Sequence, residues 1–134
     1  MNQTYYFQDT EFLKTDVYQQ FMKAYPGKGN LKIRAYAASE ALPVSHLKIQ
    51  VSTLFHQDTI IFFEGETDAS GMIDSLSLPA PLLTVNNLEV PETITYQVKA
   101  SMDSFSQEFS IKMYDGICVL QNINYVPRGG LYGN

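Results

Sequence analysis

The 134-residue sequence has no tryptophan, one cysteine and only 17% charged residues. A single cysteine, Cys118, excludes an internal disulfide and a zinc cluster built on thiolates, so stability must come from packing. No run reaches the roughly 18–20 apolar residues of a membrane-spanning helix. Nine basic residues are scattered from Lys14 to Arg128 in a chain of formal charge −5, which leaves no basic face for a phosphate backbone and disfavours nucleic acid. The opening MNQTYYFQDTEF has neither the basic segment nor the apolar core of a secretion signal, so synthesis and folding in the cytoplasm, without a signal peptide, is expected. No complete nucleophile, metal or cofactor motif is present; the expectation is no enzyme and no cofactor.

What the sequence does have is apolar and aromatic substance: 45% hydrophobic residues, nine Tyr and eight Phe. Its length suits one compact domain with one core. From Thr10 to Ala24, Phe12, Leu13, Val17, Phe21 and Ala24 recur at helical spacing, which predicts an amphipathic helix capped by Asp9 or Thr10 and stopped by Pro26, Gly27 and Gly29. After Gly29 the period falls to 2: Leu31, Ile33, Ala35 and Ala37, then Leu47, Ile49, Val51 and Thr53, alternate with polar residues. Further strands are expected at 59–67, at MIDSLSL, from Ile94, from Phe105 and over Ile117–Val126. Leu78-Pro79-Ala80-Pro81 should end a strand by removing ladder donors, residues 82–93 should form a crossing loop, and Asp115-Gly116 reads as a hairpin turn. The expected fold class is all-β: a seven-stranded Greek-key sandwich with one N-terminal α-helix. Residues 1–29 would form the arm and helix, 30–127 the sandwich and 128–134 a flexible or partner-bound tail.

Candidate chemistry is sparse. Asp68, Ser70 and Gly71 could begin a calcium loop, but no further ligands follow at the required spacing, and the same residues make a good β-turn. Cys118 lies between Ile117 and Val119 and is expected to be buried as a small hydrophobe. His46 and His56 have no motif linking them to it; His56 in FHQDT reads as a solvated hairpin tip. Glu64, Glu66 and Asp74 read as carboxylates on exposed strand faces. Tyr5, Tyr6, Phe7, Tyr18, Met22, Tyr25 and Tyr132 lie outside the expected sandwich; they either cover its edge or anchor neighbouring subunits.

The segments GNLKIRAYAASEALPVSHLKIQVS, FFEGETDASGMIDSLSLPAP, TYQVKAS and GICVLQNINYVP, in that order over residues 29–127, resemble the carboxypeptidase-regulatory-like or prealbumin-like β-sandwich modules, which include Cna-type B domains. Ala41, Pro43, Val44, Thr67, Asp68, Gly71, Tyr96, Val98 and Ala100 carry the resemblance, while His46 and Leu47 stand where the family has smaller residues. The resemblance implies a non-enzymatic structural or adaptor protein, acting through protein partners or self-association in a Gram-positive bacterial or prophage-derived assembly. It also implies an alternative, a peptidoglycan- or carbohydrate-binding module associated with cell-wall or spore-cortex enzymes, with Tyr36, Tyr114 or Tyr125 stacking on sugars. The Lys–Asn cross-link of some Cna-type B domains would here involve Lys32 with Asn122 or Asn124, but strand alternation puts Lys32 on the solvent face.

Overall fold

The computed structural model describes residues 2–38, 41–83 and 92–126. The eight final residues, with Tyr132, and most of the expected 82–93 loop lie outside these. In chain order the elements are β1 (Thr4–Tyr6), a 3-10 turn (Phe12–Lys14), α1 (Asp16–Ala24), β2 (Gly27–Ala37) and β3 (Leu42–Pro43). There follow β4 (Lys48–Phe55), β5 (Asp58–Glu66), β6 (Met72–Ala80), β7 (Ile94–Met102), β8 (Phe105–Met113) and β9 (Cys118–Asn124). The seven long strands are those the alternation predicts; β1 and β3, of three and two residues, are additional.

The strands form two layers. One sheet has the order β1-β5-β4-β7-β8; the other is β3-β2-β6, with β9 pairing parallel to β2 on the side opposite β3 and β6. Between β2 and β9 the chain passes repeatedly from one layer to the other, a Greek-key path. Leu31, Ile33 and Ala35 of β2, Ile73 and Leu78 of β6 and Ile123 of β9 face Ile49, Val51, Tyr96, Val98 and Ile111 of the larger sheet in one core. Fully burying each large aliphatic side chain stabilises by about 1.5–3 kcal/mol, which makes this layer the principal source of stability.

Four expectations need correction. The helix does not start at Thr10: a 3-10 turn precedes it, and Thr15 is the N-cap, its Oγ1 accepting from the Tyr18 N–H at 3.1 Å. The change of helical type rotates the stripe, so Phe12 and Phe21 are buried while Leu13 and Ala24 face solvent. Gly27 and Gly29 do not stop the helix but open β2, on its inward face with Leu31. A Cβ at Gly29 would strike the Met113 sulfur and the Tyr114 carbonyl, and one at Gly27 would lie 2.7 Å from Asp115 Oδ1. Counting apolar residues misses them because here an inward position must be empty.

Pro79 does not end β6, which runs through it to Ala80 paired with Lys28 and Gly27. An edge strand can hold a proline where its N–H would face away from the ladder. Asp115-Gly116 is not a hairpin, because β9 joins the opposite sheet from β8. Gly116 has the expected positive φ of 77°, but the Asp115 carboxylate accepts from the N–H groups of Lys28 (3.1 Å) and Leu83 (3.3 Å), tying β2 and the segment after β6 to the crossover.

Candidate functional site

Thr67, Asp68 and Gly71 form a structural corner. Asp68 Oδ1 accepts from the Ser70 and Met72 N–H groups, both at 2.9 Å, the bonding by which an aspartate side chain closes a turn on its own backbone. Gly71 adopts φ 76°, and a Cβ there would collide with the Ala35 carbonyl. The Thr67 hydroxyl, buried, donates to the Val44 carbonyl at 2.6 Å and accepts from the Leu47 N–H at 3.1 Å. These two bonds fix the 44–47 loop against the end of β5, so the motif residues act by shaping backbone.

The groups that could carry chemistry do not converge. Cys118 is exposed, opposite Asn30 in the β2–β9 ladder, because the alternation of β9 turns Val119 and Ile123 inward instead; its expected burial is corrected. His46 precedes β4 and its Nδ1 lies 3.0 Å from Glu66 Oε1 in an exposed pair, whereas His56 is in the tight turn at the far end of β4, stacked on Phe55. His56 and Gln57 have φ 49° and 74°, the two positive values a two-residue hairpin needs. Among the described residues no three His, Cys, Asp or Glu side chains are grouped to hold a metal ion.

Glu64 and Glu66 are exposed, as expected, and line a shallow concavity of about 470 Å³ on the outer face of the larger sheet, with Lys48, Gln50 and Lys99. Gln50 Nε2 donates to Glu64 Oε2 at 2.7 Å there. Asp74 is exposed on the other sheet. Lys32 is exposed and pairs with Leu120, so neither Asn122 nor Asn124 is its ladder partner. Tyr36 lies on the outer face under the Arg34 guanidinium, 5.0 Å from its ring centre, while Tyr125 leans on Phe105 at the core. Those two rings do not share a platform for a sugar.

The aromatic arm is the densest cluster. β1 runs parallel to β5, pairing Tyr5 with Ile60 and Tyr6 with Ile61, and delivers Phe7 onto Phe62 at 4.4 Å between ring centres. Phe21 of α1 meets Phe55 edge-on at 5.3 Å and also touches Phe7, Phe62 and Tyr25. Tyr5, Phe7, Tyr18, Met22 and Tyr25 are thus part-buried against the chain's own core. Beneath them Tyr96 is buried and donates to the Pro79 carbonyl at 2.6 Å, linking the two sheets. Burial, and secondarily the neighbouring Tyr25, holds its phenol well above the usual tyrosine range.

Tyr6 points the other way. It is 49% exposed and, with Gln8, Ile61, Phe63 and Glu64, lines a notch of about 230 Å³ where β1 ends while β5 continues. Ile61 pairs with Ser52 on the outer face yet is buried, outside the main core cluster. The sequence signal for this notch is Ile60-Ile61: two successive apolar residues in a strand put one of them on the outer face.

No family model and no curated protein matches the chain. Among solved structures it is similar to the 5-hydroxyisourate hydrolase of Klebsiella pneumoniae, with 15% identity over 74% of this chain and 92% of that one and a TM-score of 0.48. It is also similar to transthyretin from Sparus aurata, with 16% identity over 71% of this chain and 90% of that one and a TM-score of 0.44. The architecture itself is a two-layer, all-β sandwich carrying one helix.

Proposed function

We propose that this chain is a non-enzymatic structural or adaptor module that works through protein–protein contacts, with the notch beside Tyr6 as a contact surface. The observation that carries this reading is the notch itself, where an aromatic ring, an apolar floor at Ile61 and Phe63, and a stretch of β5 beyond the end of β1 lie together. Tyrosine suits such a place, since its ring buries apolar area while its hydroxyl stays hydrogen-bonded. The scatter of Cys118, His46 and His56 over separate parts of the molecule supports a binding role over turnover.

The setting implied by the resemblance, a bacterial or phage-derived assembly, belongs to the same proposal and would be reflected in assembly genes flanking this one. The direct test is affinity capture from native lysate, identification of the partner, and titration of that purified partner against the wild type and Tyr6→Lys. The expected result is at least about tenfold weaker binding by Tyr6→Lys at an unchanged melting temperature. A monodisperse monomer for which no partner is recovered would overturn the reading.

A further inference from the structure

We propose that β9 is the edge on which a second copy of this chain docks, antiparallel and about a twofold axis, joining two copies of the smaller sheet into one. This rests on the reading that the module works through protein contacts and names one such partner. Exposed sheet edges template pairing with other chains, and proteins commonly guard them with short strands, charges, prolines or bulges. Among the described residues four of the five outer strands are guarded. β3 has two residues, one of them Pro43. β1 has three residues; β6 contains Pro79 and Asp74 and a register shift opposite Leu31 and Ile33; β8 carries Glu108 and Lys112.

β9 has none of these devices. Its sequence CVLQNIN contains no charge and no proline, and it pairs with β2 in unbroken register from Asn30–Cys118 to Tyr36–Asn124. Exposed aliphatic side chains accompany it, Ile117 just before and Leu120 within. The backbone directions follow from two printed bonds: the Ile117 carbonyl accepts from Asn30, and the Tyr125 N–H donates to Tyr36. In a parallel ladder alternate residues direct both polar groups to the neighbour. The odd-numbered residues of β9 therefore serve β2, and Cys118, Leu120, Asn122 and Asn124 direct theirs outward. One of those outward groups, the Asn122 carbonyl, accepts from the Gln121 side chain at 2.8 Å, a local bond a docking strand would replace.

A second copy fits this edge because an uncharged strand meets itself without like-charge repulsion, and because one antiparallel register uses every outward residue. That register sets Leu120 opposite the partner's Asn122 and Cys118 opposite the partner's Asn124. The two Cys118 residues are then six positions apart along the strands, about 20 Å at roughly 3.4 Å per residue.

Cys118 is the chain's sole cysteine, so a nitroxide placed there reads this distance without engineering. Sedimentation should show a dimer, pulsed dipolar spectroscopy a separation near 20 Å plus the label arms, and Leu120→Lys and Asn122→Pro at least about tenfold weaker association. Both variants alter only the open edge, so their circular dichroism should match the wild type. Should either fail to fold, hydrogen exchange of the wild-type Leu120 amide across a dilution series decides: protection that falls on dilution supports the dimer, and protection absent or independent of concentration overturns it. A monomer at high concentration, a dimer indifferent to both folded variants, or a markedly different separation also overturns it. Tyr6→Lys should leave the dimer intact; a monomer that still binds another partner through Tyr6 sinks this inference alone.

Discussion

Tyr96 shows how one side chain can join two layers. Its ring belongs to the larger sheet, its hydroxyl bonds the Pro79 carbonyl of the smaller one, and both are buried. Removing the hydroxyl by Tyr96→Phe leaves that carbonyl unpaired at a cost of about 1–3 kcal/mol, measurable by urea denaturation near neutral pH. The raised pKa adds a pH signature. Because the folded phenol stays protonated while the unfolded one ionises near its ordinary value, its contribution is fully present below about pH 10 and is lost as pH rises above that. Wild-type stability should therefore fall by about 1.4 kcal/mol per pH unit from this group, and Tyr96→Phe should show a slope shallower by that amount. Tyr96 is legible in the sequence as part of the TYQVKA alternation, but its acceptor is not, since nothing local places residue 79 beside it. Thr67, Asp68 and Gly71 are different: the turn they form is local, so spacing alone identifies it, and only the reach of Thr67 to Val44 and Leu47 requires the fold. Cys118 marks the opposite case, because two apolar neighbours suggest burial while strand phase, set by the distant β2, decides exposure.

At the scale of the element, α1 is held mostly by what it buries. Nine residues are too few for a stable helix in isolation, so propensity and capping are minor beside packing. Thr15→Ala should cost about 1 kcal/mol through the lost cap, and Phe21→Ala about 3–5 kcal/mol through the cavity left among Phe7, Phe55 and Phe62. Thermal melts of both variants check the ratio; equal losses would mean the cap matters as much as the aromatic cluster. The helix was legible from its periodicity, but its start was not, since a 3-10 turn and an α-helix share nearly the same spacing over one turn. Strand identity was legible from alternation, whereas pairing partners depended on long-range geometry, which is why Asp115-Gly116 resembles a hairpin yet carries the chain across the core.

For the molecule as a whole, stability is distributed over contacts distant in sequence. β2 pairs with β9, Asn30 with Cys118 and Tyr36 with Asn124, 88 residues apart, and β4 with β7, so native pairing must close long loops before it is rewarded. Folding is expected on the millisecond-to-second scale of sandwiches, not the microseconds of helical bundles, and stopped-flow fluorescence of the tyrosines can check this. The sandwich was legible because period 2 persists through the chain. Of the notch beside Tyr6 the sequence carries only the apolar pair Ile60-Ile61, because its shape arises from where β1 stops relative to β5, a fact of register.

The parallel course of β2 and β9 also bears on tension. Pulling the start of one and the end of the other slides the strands lengthwise, so the ladder bonds along Asn30–Tyr36 resist together and must give way at nearly the same moment. An antiparallel hairpin pulled at its open ends would peel one rung at a time. Drawn out by those two points, this sandwich should behave as a latch with an abrupt yield, suited to bearing load.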